Sequence, residues 1–197
     1  VDLPGHGHSP PIPGVTLDAV VDAVAGAIAQ AGDVAPADVL GWSFGGLVAQ
    51  RWAARGDARV GRVVLVCTSP RFVSGDGWTH GIAPQVLAQF ADELRVAYDA
   101  TLRRFVTLQM QNATHARTTL ARVRALLAAR PPADPATLDA TLAILASSDL
   151  RGLAPALAAP ALVVAGGRDA LAPAAAGAWL AAAMPDASLV SIADAAH

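Results

Sequence analysis

The 197-residue sequence predicts an α/β fold: a mainly parallel sheet with helices on both faces and a helical segment inserted between two of its strands. Three observations carry this. Short β-branched runs alternate with amphipathic helical stretches, the pattern of buried strands joined by helical crossovers. A Gly-x-Ser-x-Gly segment leaves one of those strands and opens a helix. Finally, about ninety residues between Thr68 and Pro160 show helical periodicity without a strand.

The elements follow in order. Leu17, Val20, Val21, Val24, Ile28 and Ala29 recur at three- and four-residue steps with acids on the other face, so residues 17 to 31 predict a helix that Gly32 ends. Val39-Leu40 predict a short buried strand running into Gly41-Trp42-Ser43-Phe44-Gly45-Gly46. Leu47 to Ala54 continue as a helix closed by Gly56. Val60 to Cys67 is a strand covered on both faces. The long insertion predicts helices over Pro84 to Tyr98, Ala100 to Gln111, Ala113 to Ala129 and Pro135 to Ser147. Strands at Ala161 to Ala165 and Ser188 to Ile192, with a helix over Ala174 to Met184 between them, complete the pattern. Residues 1–69 and 160–197 thus read as a core, and 70–159 as a helical lid.

Composition narrows the function classes. One domain of this length buries a sizeable core. A net charge of −2 makes the molecule no electrostatic magnet for nucleic acid or membranes. Hydrophobic content is 54%, but the longest uncharged stretches are Ala-rich and broken by Pro155, Pro160, Pro173 and Pro185, unlike a membrane span. Cys67 is the only cysteine, which excludes an internal disulfide or a cysteine metal cluster, and its apolar run predicts a buried structural thiol. All fourteen basic residues are arginine. No secretory signal is visible, and the expected location is the cytoplasm. Val1 lies inside a strand-to-loop transition and His197 follows an apolar strand directly, so both ends read as cuts in a longer chain.

Gly-x-Ser-x-Gly at positions 41 to 45 carries the chemistry. Alone it would arise by chance in about one chain in fifteen of this length. Its strand-turn-helix context is what a nucleophile elbow requires: the glycines let the backbone turn sharply, placing Ser43 Oγ at the strand's carboxyl end and the Phe44 N–H where it can donate to an oxyanion. A serine hydroxyl needs a base. Of His6, His8, His80, His115 and His197, only His197 follows the last strand. The base needs an orienting acid, and Asp169 ends Val163-Val164-Ala165-Gly166-Gly167-Arg168-Asp169, 28 residues before His197. Thr68-Ser69-Pro70, after the preceding strand, holds no carboxylate, and Asp194 is too local to reach His197. The predicted catalytic set is Ser43, Asp169 and His197.

Asp2-Leu3-Pro4-Gly5-His6-Gly7-His8-Ser9 and Gly41-Trp42-Ser43-Phe44-Gly45-Gly46-Leu47-Val48-Ala49 resemble the pimeloyl-[acyl-carrier protein] methyl ester esterases of biotin synthesis, members of the α/β-hydrolase superfamily. The likeness continues through Ser69-Pro70-Arg71-Phe72, Gly81-Ile82-Ala83-Pro84, Arg104-Phe105-Val106-Thr107-Leu108-Gln109 and Ala195-Ala196-His197. It implies hydrolysis of a carrier-bound pimeloyl methyl ester to a carboxylate and methanol, with the acyl chain held by Ser43, Phe44, Phe105, Val106, Thr107, Leu108, Gln109 and His197. It also implies about forty residues before Val1, including the first sheet strands and a second oxyanion donor, and a last helix after His197. No metal or organic cofactor is implied.

Carrier proteins are acidic and call for a basic partner face. Arg103, Arg104, Arg117, Arg122, Arg124 and Arg130 fall in a stretch without one acid, and the first five are the candidate docking residues. A monomer is expected, with no nucleic acid or membrane partner. Two other readings stand: a general short-chain carboxylesterase or lactonase of the same fold, and a non-catalytic binding protein of this fold.

Overall fold

The computed structural model describes residues 1–32, 36–110 and 116–197. Four parallel strands, β1 (Ala37–Trp42), β2 (Val60–Val66), β3 (Ala161–Gly166) and β4 (Ala187–Ile192), lie in that order across one sheet. Leu40 pairs with Val64, Val64 with Leu162 and Leu162 with Ser188, so all carboxyl ends lie at one edge, with β3 and β4 running two residues past the level of Trp42 and Val66. Ser43, Cys67, Asp169 and His197 each follow one of those ends. In a parallel sheet this is where the loops converge and where ligands bind.

Helices α1 (Leu17–Gln30), α2 (Phe44–Ala53) and α3 (Ala174–Ala183) accompany the sheet. Thr16 caps α1 by accepting from the Ala19 amide at 3.1 Å. Of the predicted stripe of α1, Val20, Val21 and Val24 are buried, together with Ala25, against Val48 and Trp52 of α2; Leu17 and Ile28 are half-buried and Ala29 is exposed. Arg51 of α2 and Arg55, in the turn after it, pair with Asp18, and Arg55 also with Asp22, along the rim of that contact. A second cluster packs Ala49 and Ala53 of α2 and Leu180 of α3 on Val63, Leu65 and Val163 of the sheet. Burying a side chain such as Leu65 contributes about 1.5–3 kcal/mol. Helices were expected on both faces. Among the described residues these clusters lie on the Val63–Leu65–Val163 face, while Leu40 and Trp42, on the other parity, are 67% and 51% exposed.

Between β2 and β3 the chain forms four helices: α4 (Pro84–Val96), α5 (Tyr98–Met110), α6 (Ala116–Ala128) and α7 (Pro135–Ser147). The expected start of one at Ala113, and His115 with it, lie outside the described residues. Pro84 and Pro135 stand in the first turns of α4 and α7, where a proline loses no helical hydrogen bond. Asp134 caps α7 through the Thr137 amide at 2.8 Å. The two ends of this insertion are tied together at its base. Arg71 pairs with Asp76 at 2.7 Å and Asp149 at 2.9 Å, and Asp149 also pairs with Arg151 at 2.6 Å. The Arg151 guanidinium beside Asp149 holds that carboxyl well below the usual carboxylate range. No helix of the described residues is long and apolar enough to cross a membrane.

Candidate active site

The turn from β1 into α2 is tighter than the motif alone suggests. Ser43 has φ 54° and ψ −119°, a conformation that costs a non-glycine residue of order 1–3 kcal/mol and that the surroundings must enforce. The flanking glycines do not supply the turn; two of them supply close approach. A Cβ on Gly41 would stand 2.4 Å from the Gly45 carbonyl oxygen, and one on Gly46 2.4 Å from Thr68 Oγ1. One on Gly45 would meet nothing within 4 Å. Thr68 also donates to the Ser43 carbonyl oxygen at 2.8 Å, pinning the turn from β2. Helix α2 starts at Phe44, three residues before the predicted Leu47, because Gly45 and Gly46 sit inside its first turn. The Phe44 amide is therefore at the helix's first position, where it lacks an intrahelical acceptor.

The structure brings Ser43, His197 and Asp169 together from three strand ends. His197 Nε2 is 2.9 Å from Ser43 Oγ, and His197 Nδ1 is 2.8 Å from Asp169 Oδ2. An ionised carboxylate can only accept, so Nδ1 carries the proton and Nε2 is left to accept from the serine hydroxyl. Asp169 Oδ1 accepts from the amides of Leu171 at 2.8 Å and Ala172 at 2.9 Å. Both oxygens are thus engaged on a fully buried side chain, which holds the carboxylate in one orientation against the imidazole. The other histidines of the described residues are elsewhere. His6 contacts the Pro4 carbonyl oxygen at 2.9 Å, and His80 packs edge-on to Trp78. Asp194 is exposed, and the Nδ1 position is taken by Asp169.

Three neighbours of the triad carry no sequence signature of their own. Thr68 pins the turn as described. Trp42 donates its indole N–H to the His197 carbonyl oxygen at 3.1 Å, with the rings 5.5 Å apart. Cys67, a further non-glycine residue at positive φ (45°), places its sulfur 3.8 Å from the Ala196 carbonyl oxygen. Burial, reinforced by the Asp169 charge, pushes its thiol up to about 11, so it is no nucleophile near neutrality.

A cleft of about 290 Å³ opens on Ser43. Its walls are apolar, with Phe72, Ile82, Val86, Phe90, Leu145 and Leu171 among them, and the insertion helices supply most of the lining. Phe105, Leu108 and Gln109 line this cleft. Val106 and Thr107 do not. Val106 is buried and lines a separate cavity with Tyr98, Arg103 and Arg124, and Thr107 receives a hydrogen bond from Arg124 at 2.9 Å. One helical turn cannot aim five consecutive side chains at one ligand, which is why the run divides. The acid-free arginine stretch also changes character in three dimensions: Arg104 pairs with Glu93 at the cleft, and Arg130 with Asp2.

The α/β-hydrolase-fold family pattern matches residues 1–197. A pimeloyl-[acyl-carrier protein] methyl ester esterase of Chromobacterium violaceum is 43% identical over 197 residues, all of this chain and 75% of that protein. One from Xylella fastidiosa is 42% identical over 177 residues, 89% of this chain and 66% of its own length. Among solved structures, the enol-lactonase of Burkholderia xenovorans superposes with a TM-score of 0.81 at 29% identity, covering 100% of this chain and 72% of that one. An esterase from Exiguobacterium antarcticum reaches 0.87 at 18% identity, covering 98% and 71%, and bears on the fold alone. The match to the Chromobacterium violaceum esterase spans all of this chain, the helical insertion included, and the chain belongs to the pimeloyl-[acyl-carrier protein] methyl ester esterase family of α/β-hydrolases.

Proposed function

We propose that this protein hydrolyses the methyl ester of a pimeloyl chain carried on acyl-carrier protein, releasing methanol and a free carboxylate for biotin synthesis. The observation that supports it most is the 43% identity, across all of this chain and 75% of the relative, to an esterase named for that activity, on a chain whose apolar cleft ends at an assembled triad. His197 Nε2 takes the Ser43 proton as Oγ attacks the ester carbonyl. The Phe44 N–H, at the start of α2, stabilises the oxyanion. His197 then gives the proton to departing methanol, and a water deprotonated by His197 cleaves the acyl-enzyme. The insertion serves as the lid: Phe105 and Leu108 form the wall for the methylene chain and Gln109 a polar handle. The general-esterase and lactonase readings would use the same triad and differ only in what the lid admits.

The carrier docks on the basic lid. Arg103, Arg117 and Arg122 make no ion pair among the described residues and are the arginines assigned to meet the acidic partner, while Arg104 and Arg124 are engaged within the lid. Rim charges act mainly on association rate. The test compares a carrier-bound ester with a small p-nitrophenyl ester. Arg117→Glu with Arg122→Glu should lower kcat/KM for the former only, and added salt should do the same to the wild type. Equal losses on both substrates would make the arginines structural; no loss on either would make them a solvated face.

A further inference from the structure

We propose that a thiophilic divalent cation, Zn²⁺ or Cd²⁺, binds between Cys67, Asp169 and His197 and switches the triad off. Three elements converge there: the end of β2, the loop after β3 and the segment after β4. One donor atom from each of the three residues lies within 4.8 Å of the other two. Sulfur, imidazole nitrogen and carboxylate oxygen are together the donor set these ions take. Ligand bonds of about 2.0–2.3 Å place tetrahedral donors roughly 3.3–3.8 Å apart. The His197 Nδ1 to Asp169 Oδ2 contact, now 2.8 Å, therefore has to open by less than about 1 Å.

The surroundings suit such an ion. The Asp169 and His197 side chains are 0% and 3% exposed, and Cys67 is buried beside them. A thiolate, a carboxylate and a divalent cation sum to zero charge, so the loaded site buries no net charge. The proton balance explains the inhibition. Cys67 releases its thiol proton to solvent as the sulfur–metal bond forms. The metal occupies Nδ1, so the imidazole's single proton moves to Nε2. There it faces Ser43 Oγ, 2.9 Å away, and the ring can no longer accept the serine proton. Occupancy and turnover exclude each other. The ion enters only when the His197–Asp169 bond opens, so onset is slow.

The mechanism of inhibition rests on the esterase reading; the binding site does not. The full chain is freed of metal by a chelator and preincubated with Cd²⁺ or Zn²⁺, with Mg²⁺ as a hard-ion control. Hydrolysis of p-nitrophenyl acetate is then followed. The expected result is time-dependent loss of at least ~10-fold in rate by Cd²⁺, reversed by chelator and not produced by Mg²⁺. Cys67→Ser and Cys67→Ala should hydrolyse the ester at the wild-type rate without metal and need at least ~10-fold more Cd²⁺ for the same loss. In parallel, a cobalt–thiolate charge-transfer absorption should appear on adding Co²⁺ to the wild type and not to Cys67→Ser. That absorption reports the site even if the ester is never turned over. Inhibition of both Cys67 variants at the wild-type concentration, equal inhibition by Mg²⁺, or no thiolate absorption would overturn the proposal.

Discussion

Replacing Asp169 by asparagine separates orientation of the base from everything else in the site. The asparagine oxygen can keep the two amide bonds from Leu171 and Ala172, so the backbone after β3 stays in place. Its NH₂ group then faces His197 Nδ1, 2.8 Å away in the wild type, and two donors cannot share that contact. The ring responds by moving its proton to Nε2, where it blocks Ser43. Loss of the correct tautomer costs a triad about 10⁴-fold in kcat. At about 1.36 kcal/mol per decade this is ~5.4 kcal/mol of transition-state stabilisation. The carboxylate lines no part of the cleft, so KM for a p-nitrophenyl ester should hardly move. Steady-state kinetics on the variant, with a melting curve to show that it is folded, gives the answer. A kcat loss under tenfold, or a larger loss in Asp194→Asn, would refute the assignment of the acid.

Other consequences can be checked separately. Gly46→Ala drives a methyl group into Thr68 and should destabilise the fold by about 1–3 kcal/mol, whereas Gly45→Ala enters open space and should stay within about 0.5 kcal/mol of wild type; similar melting temperatures for the two would show that the turn yields freely. Trp42→Phe keeps a ring beside His197 but removes the indole donor, so kcat should fall about fivefold, the worth of one ordinary hydrogen bond, with KM unchanged; an unaltered kcat would reduce Trp42 to a cover. Arg51, and then Arg55, hold the Asp18 carboxyl at about 2 against an ordinary 3.8. A depressed folded value means stabilisation that is complete above pH ~4 and lost as pH falls towards ~2. The wild-type urea midpoint should therefore fall more steeply across that window than that of Asp18→Asn, and parallel profiles would mean that these half-exposed pairs are screened out.

Where the sequence was legible, a local rule was in force. The run from Val60 to Cys67 reads as a strand and forms one over Val60–Val66, but it was expected to be covered on both faces and the strand is buried only at Val63 and Leu65, with Val64 and Val66 half-buried. The order of serine, acid and histidine follows from each group needing a strand end. Glycine was read less well. The motif suggests that its glycines make the turn, yet the positive φ falls on Ser43, Gly45 faces open space, and the close packing is shared by Gly41 and by Gly46, which lies outside the motif's fixed positions. The run from Phe105 to Gln109 reads as one binding segment, but helical periodicity sends Val106 and Thr107 away from Ser43. Arginines 104 and 130 look unbalanced in sequence because Glu93 and Asp2 reach them only through folding. Trp42, Thr68 and Cys67 were hidden for the same reason: their roles come from contacts 25 to 155 residues away in the chain.

Incubation of the protein with methyl pimeloyl-carrier, followed by mass spectrometry of the carrier, tests the central claim most directly. The account predicts that the acyl group loses one CH₂ equivalent as methanol appears, that the thioester to the carrier stays intact, and that Ser43→Ala shows at least ~10³-fold less conversion. Cleavage of the thioester in place of the methyl ester, or conversion that persists in Ser43→Ala, would contradict it.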